Sequence, residues 1–245
     1  MTELRAILFD VDGTLANTEH QGHRKAFNLA FEEAGYDWHW DQPLYARLLE
    51  VTGGRERLVH FLNDHPLRET DKERIAAKLH LRKNQFYKSL VSQGAIPLRP
   101  GIERLFAEIL ASDVRLVIVS TSGQENILAL IRGSFSREVE SGIELIVAGE
   151  SVEKKKPSPD AYLLALDKLK LRADQCLAVE DSEAGLAAAN AAGIATLITW
   201  NDYTRGQNFE GACAVLENLE HGVGGSPVDL NTLVMLHRNY LKELA

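Results

Sequence analysis

The stretch Ala6-Ile-Leu-Phe-Asp10-Val-Asp12-Gly13-Thr14 places a short apolar run directly before two aspartates and a glycine. Its four apolar residues do not alternate with polar ones, which is typical of a strand buried on both faces of a parallel sheet. In open α/β sheets the ligand crevice lies outside the carboxyl ends of the strands. We therefore expect Asp10 and Asp12 at a ligand site, with Gly13 giving the turn its conformational freedom.

Four further runs rich in Val, Ile and Leu have the same strand-like character, and helical patterns separate them. The runs cover residues 115–120, 143–148, 176–179 and 195–199. The helical patterns lie near 101–111, 124–133, 158–169 and 183–191. Strands that alternate with helices indicate βαβ units with right-handed crossovers. The sequence therefore predicts an α/β fold with a doubly wound parallel sheet.

The interval 17–96 differs because it has no strand-like run. It is predicted to form helices near 20–34, 43–50, 55–64 and 72–92. We interpret it as an all-helical domain inserted into an α/β core domain made of residues 1–16 and 97–225. Residues 226–245 are predicted to form a C-terminal helical extension whose apolar face, from Leu230 to Leu244, packs on its own core in preference to forming a dimer.

Composition limits the classes of partner. The 245-residue chain has a formal net charge of −8, and its two cysteines form no C-x-x-C pattern. An acidic protein is a poor general binder of nucleic acid, because that affinity comes from neutralising phosphates. There is no signal-peptide pattern and no apolar run of about 18 residues. We expect a cytoplasmic protein without nucleic-acid or membrane partners, monomeric, with a dimer left open.

The two aspartates that follow the first strand favour a cation. Carboxylates crowded together raise each other's pKa, and a hard divalent ion such as Mg²⁺ relieves that repulsion with oxygen ligands. The alternative is a polar Asp-Gly turn that simply ends a strand.

Three other strand ends carry polar groups. Ser120 and Thr121, followed by Ser122, could hold phosphate oxygens through hydroxyl and N–H groups, although a helix N-cap is the better explanation of this element taken alone. Lys156 could present a fixed cation to a phosphate, and the alternative is a solvated lysine-rich loop. Glu180 and Asp181 could join the cation site, and the alternative is a cap for the next helix. Because these groups are expected to converge on one crevice, a catalytic site is favoured over the separate structural alternatives.

These four elements, in this order, resemble the haloacid dehalogenase superfamily of phosphotransferases, whose D-x-D-G-T signature matches Asp10 to Thr14. The resemblance implies a Rossmann-like core, with the helical insertion as a cap domain. It also implies roles: Asp10 as nucleophile, Asp12 as general acid and base, and Ser120 and Lys156 as ligands of the transferring phosphoryl group. Magnesium would be held by Asp10, the main-chain carbonyl of Asp12 and Asp181, with Glu180 close by.

The cap sequence resembles the CbbY group, phosphatases of xylulose 1,5-bisphosphate. The resemblance implies a phosphorylated sugar as substrate, and a β-phosphoglucomutase-type mutase or a broad sugar-phosphate phosphatase is the alternative. Glu19 and His23 share a helix face, where they could bind sugar hydroxyls or contact Asp12, or form a surface pair. Arg55 and Arg57 could bind a second phosphate of the substrate, because a guanidinium can donate two hydrogen bonds to one phosphate. The remaining substrate-binding candidates are Tyr45, Gly53, Gly54, Arg55, Arg57, Ser122 and Gln124, and a solvated helix face is the alternative for the two arginines.

Overall fold

Six parallel strands in the order β3-β2-β1-β4-β5-β6 form the centre of the molecule. The computed structural model describes residues 3–243. The strands are β1 (Ala6–Phe9), β2 (Arg115–Val119), β3 (Ile143–Val147), β4 (Cys176–Glu180), β5 (Ala195–Thr199) and β6 (Ala214–Leu216). This order confirms the predicted doubly wound sheet, since β2 and β3 extend it to one side of β1 and β4 to β6 to the other.

The central strand β1 is completely buried because helices cover both faces of the sheet. Ile7 and Phe9 point into one apolar cluster, and Ala6 and Leu8 point into the opposite one. Successive side chains of a strand face opposite ways, so a strand covered on both sides needs apolar residues at every position. This requirement explains why the run lacks alternation.

Five helices of the α/β part follow or precede the strands and supply this cover. They are α5 (Ile102–Leu110), α6 (Gln124–Ser134), α7 (Arg137–Gly142), α8 (Asp160–Leu169) and α9 (Glu183–Ala191). Residues of α5 and α6 pack into the cluster of Ile7 and Phe9, while residues of α8 and α9 pack into the cluster of Ala6 and Leu8. Each helix thus buries its apolar side on the sheet.

Residues 17–96, all of which the structure describes, contain helices and turns without a strand. We call this stretch the helical segment. One π-helical turn, Glu19–His23, leads into α1 (Arg24–Glu33), and α2 (Gln42–Leu48), α3 (Gly54–Leu62) and α4 (Glu69–Ser92) follow. The segment has an apolar cluster of its own, in which Phe27, Phe31 and Trp40 are fully buried. The chain returns to the sheet where Leu98 bridges Ala16.

Two elements were not predicted. The three-residue strand β6 pairs with β5, and the short helix α7 follows Ser136, whose hydroxyl accepts from the Val139 N–H. The glycine-rich stretch 221–227 has the composition of a flexible linker, yet Gly222 donates to the Ser226 carbonyl at 2.8 Å and the neighbouring Val228 is fully buried.

The C-terminal helix α10 (Leu230–Glu243) packs against α5 and β5, with Leu233 and His237 buried. This contact fits a helix docked on its own core. Of the predicted extension 226–245, Leu244 and Ala245 lie outside the described residues. Among the helices of residues 3–243, none combines the length and apolar character needed to cross a bilayer.

Candidate active site

Three buried carboxylates meet where the strand order reverses, between β1 and β4. Asp10 follows β1, Glu180 is the last residue of β4, and Asp181 follows it; one carboxylate oxygen from each lies within 4.8 Å of the others. Asp181 packs closely against the backbone of Gly13. A Cβ on Gly13, whose φ is +87°, would lie 2.3 Å from Asp181 Oδ2, so this contact requires a glycine. Such a switch point is where open α/β sheets bind ligands.

Lys156 neutralises part of this negative charge. Its buried Nζ donates to Asp10 Oδ1 at 2.7 Å, to Glu180 Oε1 at 2.6 Å and to the Val119 carbonyl at 2.8 Å. Burial lowers the pKa of Lys156, but the charges of Asp10 and Glu180 outweigh burial and the net pKa is raised. The ammonium is therefore a permanent cation fixed beside Asp10.

The carboxylates still carry more charge than one lysine balances. Burial, followed by the charge of Glu180, raises the pKa of Asp181 to about 8. Burial also raises the pKa of Asp10, against the opposing effect of Lys156. Within the described residues Glu180 Oε2 is buried without a hydrogen-bond partner. Crowded oxygen ligands and an orphaned carboxylate oxygen fit a hard divalent cation.

Asp12 points away from these three carboxylates. Its Oδ1 accepts from His23 Nε2 at 2.9 Å, and its Oδ2 accepts from the Ser122 hydroxyl. Burial opposes ionisation of Asp12, but the influence of His23 and the hydrogen bonds of His23, Ser122 and Thr18 lower its pKa overall. Because both carboxylate oxygens are engaged, the main-chain carbonyl is the group of Asp12 that is left for a metal.

His23 is buried and linked to a second buried residue of the helical segment. Its Nδ1 lies 2.9 Å from Lys83 Nζ, and its ring stacks on Tyr87 with centroids 4.3 Å apart. An ammonium only donates, so Nδ1 accepts and Nε2 carries the proton that points at Asp12. His23 therefore contacts Asp12, and the alternative of a surface Glu–His pair is wrong.

Glu19 is bonded to another part of the helical segment. Its carboxylate accepts from the Tyr45 hydroxyl at 2.5 Å, and that hydroxyl accepts from Arg57 Nη1 at 3.0 Å. Arg57 is buried and also donates to the Leu48 carbonyl at 3.0 Å. A solvated helix face is therefore the wrong description of Arg57. It fits Arg55, whose exposed side chain pairs with Glu73 at 2.7 Å.

A cavity of about 1040 Å³ lies between the helical segment and the carboxyl ends of the strands. Most of the predicted site residues line it: Asp10, Asp12, Glu19, His23, Gly53, Gly54, Arg55, Arg57, Thr121, Ser122, Lys156, Glu180 and Asp181. Three predicted residues are not part of the cavity lining and contact other residues of the protein. The Ser120 hydroxyl accepts from the Ser122 N–H, the Tyr45 hydroxyl contacts Glu19, and the Gln124 N–H donates to Glu150.

Sequence reasoning missed several polar residues that face the cavity, among them Lys83, Lys155 and Asn201. Asn201 Nδ2 donates to Asp181 Oδ2 at 2.6 Å. Asn201 closely follows β5, so the rule that selects polar residues at strand ends could have identified it. Lys83 lies in the middle of α4 and gives no comparable signal.

The sequence matches the family described as haloacid dehalogenase-like hydrolase over residues 4–193. Protein CbbY of Cupriavidus necator, plasmid-encoded, is 43% identical over 219 residues, which cover 88% of this chain and 86% of that protein. Protein CbbY of Rhodobacter capsulatus is 44% identical over 86% of this chain and 91% of that protein.

Solved structures agree with these matches. CbbY from Rhodobacter sphaeroides in complex with phosphate is 41% identical, with a TM-score of 0.79 over 88% of this chain and 94% of that one. A mutant of that protein in complex with xylulose-(1,5)bisphosphate aligns equally well at 40% identity. A β-phosphoglucomutase from Clostridium difficile has a TM-score of 0.75 over 98% of this chain and 99% of that one, at 21% identity, and so shares the fold.

Proposed function

Because this chain belongs to the haloacid dehalogenase-like hydrolase family and is a phosphatase of the CbbY type, we propose that it hydrolyses xylulose 1,5-bisphosphate with Mg²⁺ through a phospho-aspartyl intermediate on Asp10. The observation that carries the proposal is the buried group of Asp10, Lys156 and Asp181, all of which line the cavity. The similarity to a CbbY protein that binds xylulose-(1,5)bisphosphate supports the choice of substrate.

In the first step, an oxygen of Asp10 attacks phosphorus and the bond from phosphorus to the sugar oxygen breaks. Lys156 Nζ lies 2.7 Å from Asp10 Oδ1, so it fixes the carboxylate and offsets charge on the phosphoryl oxygens. Asp12 passes a proton to the departing sugar oxygen. His23 Nε2–H, 2.9 Å from Asp12, supplies that proton as the Lys83 ammonium, 2.9 Å from His23 Nδ1, gives one of its own to the ring. The products are a free sugar hydroxyl and phospho-Asp10.

In the second step, water hydrolyses the intermediate. The Asp12 carboxylate accepts a proton from water, whose oxygen attacks phosphorus as the bond from phosphorus to Asp10 breaks. Inorganic phosphate leaves and the Asp10 carboxylate is restored. The low pKa of Asp12 keeps it ionised at neutral pH, which suits this basic role.

A divalent cation bound by Asp10, Asp181 and the main-chain carbonyl of Asp12, with Glu180 close by, would supply charge neutralisation for the phosphoryl oxygens. Two further residues position the carboxylates of this site. Asn201 orients Asp181 by donating to its Oδ2 at 2.6 Å. The Tyr162 hydroxyl, 2.5 Å from Glu180 Oε1, holds Glu180 against Lys156.

Release of inorganic phosphate from xylulose 1,5-bisphosphate tests the proposal. We expect turnover with Mg²⁺, loss of turnover with EDTA, and a loss of at least about a thousandfold in kcat for Asp10→Asn, because the nucleophile is removed. The exposed, otherwise similar substitution Asp113→Asn is the control and should retain wild-type turnover. Turnover by Asp10→Asn at the wild-type rate would rule out the aspartyl intermediate.

A mutase would behave differently in the same assay. It would interconvert sugar monophosphates when primed with a bisphosphate and release little inorganic phosphate. Preferential release of phosphate from xylulose 1,5-bisphosphate without priming is the expected result. Interconversion of glucose 1-phosphate and glucose 6-phosphate at a higher kcat/KM would replace the proposed function with the mutase.

A further inference from the structure

One ion pair crosses the cavity from the α/β part to the helical segment. Lys155 Nζ, on the loop between β3 and α8, donates to Glu56 Oε1, on the first turn of α3, at 2.6 Å. Both residues line the cavity, and their side chains are 27% and 50% exposed. Lys155 is the chain neighbour of Lys156, whose Nζ donates to Asp10 Oδ1 at 2.7 Å.

The backbone of α3 is shaped around this pair. Gly53, the residue before α3, has a φ of +98°, and a Cβ there would lie 2.2 Å from Glu56 Oε2 and 2.8 Å from Lys155 Nζ. His80 lies beside the next residue, Gly54, and burial lowers the pKa of His80 to about 4. A neutral His80 adds no positive charge beside Lys155.

The other cations that line the cavity are engaged with the protein itself. Arg57 donates to a carbonyl and to Tyr45, Lys83 bonds to His23, and Arg55 pairs with Glu73 on the surface. The pair of Lys155 and Glu56 is partly exposed like that of Arg55 and Glu73, but it joins the α/β part to the helical segment, whereas Arg55 and Glu73 both belong to the helical segment. Such a pair contributes little to stability and is readily exchanged.

We propose that Lys155 binds the second phosphate of a bisphosphorylated substrate, and that this phosphate displaces Glu56 from it. The inference rests on the proposed function and adds the residue that selects bisphosphates. A phosphate dianion carries more charge and more acceptor oxygens than a carboxylate, so it competes successfully for the ammonium. A monophosphate held at Asp10 brings no second anion, and it leaves the bridge between Lys155 and Glu56 intact.

The alternative is that the bridge only fastens the helical segment to the α/β part. The two ideas differ in what they predict for the partners. If the ion pair only holds the two parts together, removing Lys155 or Glu56 breaks the same contact and should change the preference for bisphosphates in the same way. If Lys155 binds phosphate and Glu56 competes with that phosphate, the two removals have opposite effects on the use of bisphosphates.

The test compares kcat/KM for xylulose 1,5-bisphosphate, ribulose 1,5-bisphosphate and glucose 1,6-bisphosphate with kcat/KM for xylulose 5-phosphate and p-nitrophenyl phosphate. For Lys155→Met we expect the preference for bisphosphate over monophosphate to fall about 10- to 100-fold, mainly through KM. For Glu56→Gln we expect it to rise about two- to fivefold. Lys154→Met removes an exposed neighbouring charge and should retain the wild-type preference.

Each outcome decides the matter. Equal effects of Lys155→Met and Glu56→Gln, or an unchanged preference in Lys155→Met, would overturn the inference. A wild-type enzyme that prefers no bisphosphate would overturn it as well. If the wild type prefers a bisphosphate other than that of xylulose and the variants shift that preference as stated, the proposed substrate fails while the role of Lys155 stands.

Discussion

Asp12 is held from both sides of the cavity, by His23 of the helical segment and by Ser122 of the loop after β2. The proposed acid and base is therefore fully oriented only when the helical segment and the strand ends are in contact. Closure over the substrate would exclude water at the same time as it aligns the proton donor. At the scale of single residues, catalysis and closure thus depend on the same hydrogen bonds.

Lys83 gives a pH-dependent prediction, because burial lowers its pKa from the ordinary 10.5 to about 8. Below pH 8 the ammonium is present in the folded and the unfolded chain, and the folded state bears the cost of burying it. Between pH 8 and 10.5 the folded state loses its proton first, so stability rises with pH. We expect the free energy of unfolding of the wild type to rise by about 2 kcal/mol relative to Lys83→Met over this window.

Urea denaturation at several pH values measures this difference, since other titrating groups cancel between the two proteins. Lys78→Met, an exposed substitution on the same helix α4, should give a difference that does not change with pH. A flat difference for Lys83→Met as well would mean that the folded chain does not destabilise the ammonium.

Arg99 gives a second prediction. Its buried guanidinium donates to the carbonyls of Gly13 and Thr199 at 2.6 Å each, and to those of Trp200 at 2.6 Å and Glu217 at 2.5 Å. A lysine cannot satisfy four carbonyls that converge on a planar fork. We expect Arg99→Lys to lower the free energy of unfolding by about 3 kcal/mol.

Chemical denaturation measures this loss, with Arg238→Lys as the control because Arg238 is exposed on α10. The control should change stability by less than about 0.5 kcal/mol. An equally small effect of Arg99→Lys would show that the four carbonyls are satisfied without the guanidinium.

Among the residues that the sequence identified, Asp10 and Asp181 directly follow strands, and Lys156 lies further along the loop after β3. Asp10, Asp12, Lys156 and Asp181 could be selected by local pattern, because parallel strands bring their carboxyl ends to one edge. The contacts of Lys83, Arg99 and Lys155 join residues 60, 86 and 99 positions apart. No local pattern encodes such distant partners, so the tertiary structure is needed to find them.

At the scale of elements, all five predicted strands are present, because each is a run of four or five mostly apolar residues. The sixth strand, Ala214–Leu216, has three residues and one neighbour, and Val215 is 45% exposed. An edge strand with one covered face does not need a continuous apolar run. The sequence signal therefore weakens at the edge of the sheet.

The helix α10 gives a prediction at this scale. Leu233 is fully buried where α10 packs against α5 and β5, whereas Met235 of the same helix is 52% exposed. We expect Leu233→Ala to lower the free energy of unfolding by about 2–4 kcal/mol and Met235→Ala by less than about 0.5 kcal/mol. Leu233 is distinct from the cavity lining, so kcat/KM of the folded variant should match the wild type.

Denaturation curves and sedimentation velocity together check this prediction. Similar losses for both substitutions, together with a dimer that dissociates in the variants, would identify α10 as an interface between two copies of the chain instead of a helix docked on its own core.

At the scale of the whole molecule, apolar as well as polar contacts join the helical segment to the α/β part, because the apolar cluster of Ile7 and Phe9 also contains Tyr87, Val91 and Ile96. Besides the contacts of Asp12 and Lys155, Lys88 pairs with Glu125 at 2.9 Å and Asn126 donates to Asn84 at 3.1 Å. Exposed polar contacts contribute little free energy. We therefore expect the apolar contacts of Tyr87 and Val91 to keep α4 attached to the α/β part while the polar contacts around the cavity break and re-form.

The carboxylates between β1 and β4 link the charge of the site to the stability of the whole chain. The pKa of Asp181, raised from the ordinary 3.8 to about 8, means that the folded state binds a proton more tightly than the unfolded state. The metal-free protein should therefore lose stability as the pH rises from about 4 to 8. A cation that binds the ionised carboxylates competes with that proton, so its stabilising effect should be larger at pH 8 than at pH 6.

We expect Mg²⁺ at about 100 times its Kd to raise Tm by roughly 5–10 °C at pH 8. Asp181→Asn removes one of three crowded carboxylates, so its metal-free form should melt above the metal-free wild type at pH 8 while its response to Mg²⁺ nearly disappears. Asp113→Asn, at an exposed position, should keep the wild-type response. Thermal melting with Mg²⁺ and with EDTA measures both effects without reference to turnover. A full Mg²⁺ response in Asp181→Asn would place the cation elsewhere, because the strand ends could then hold it without the carboxylate that β4 delivers to Asp10.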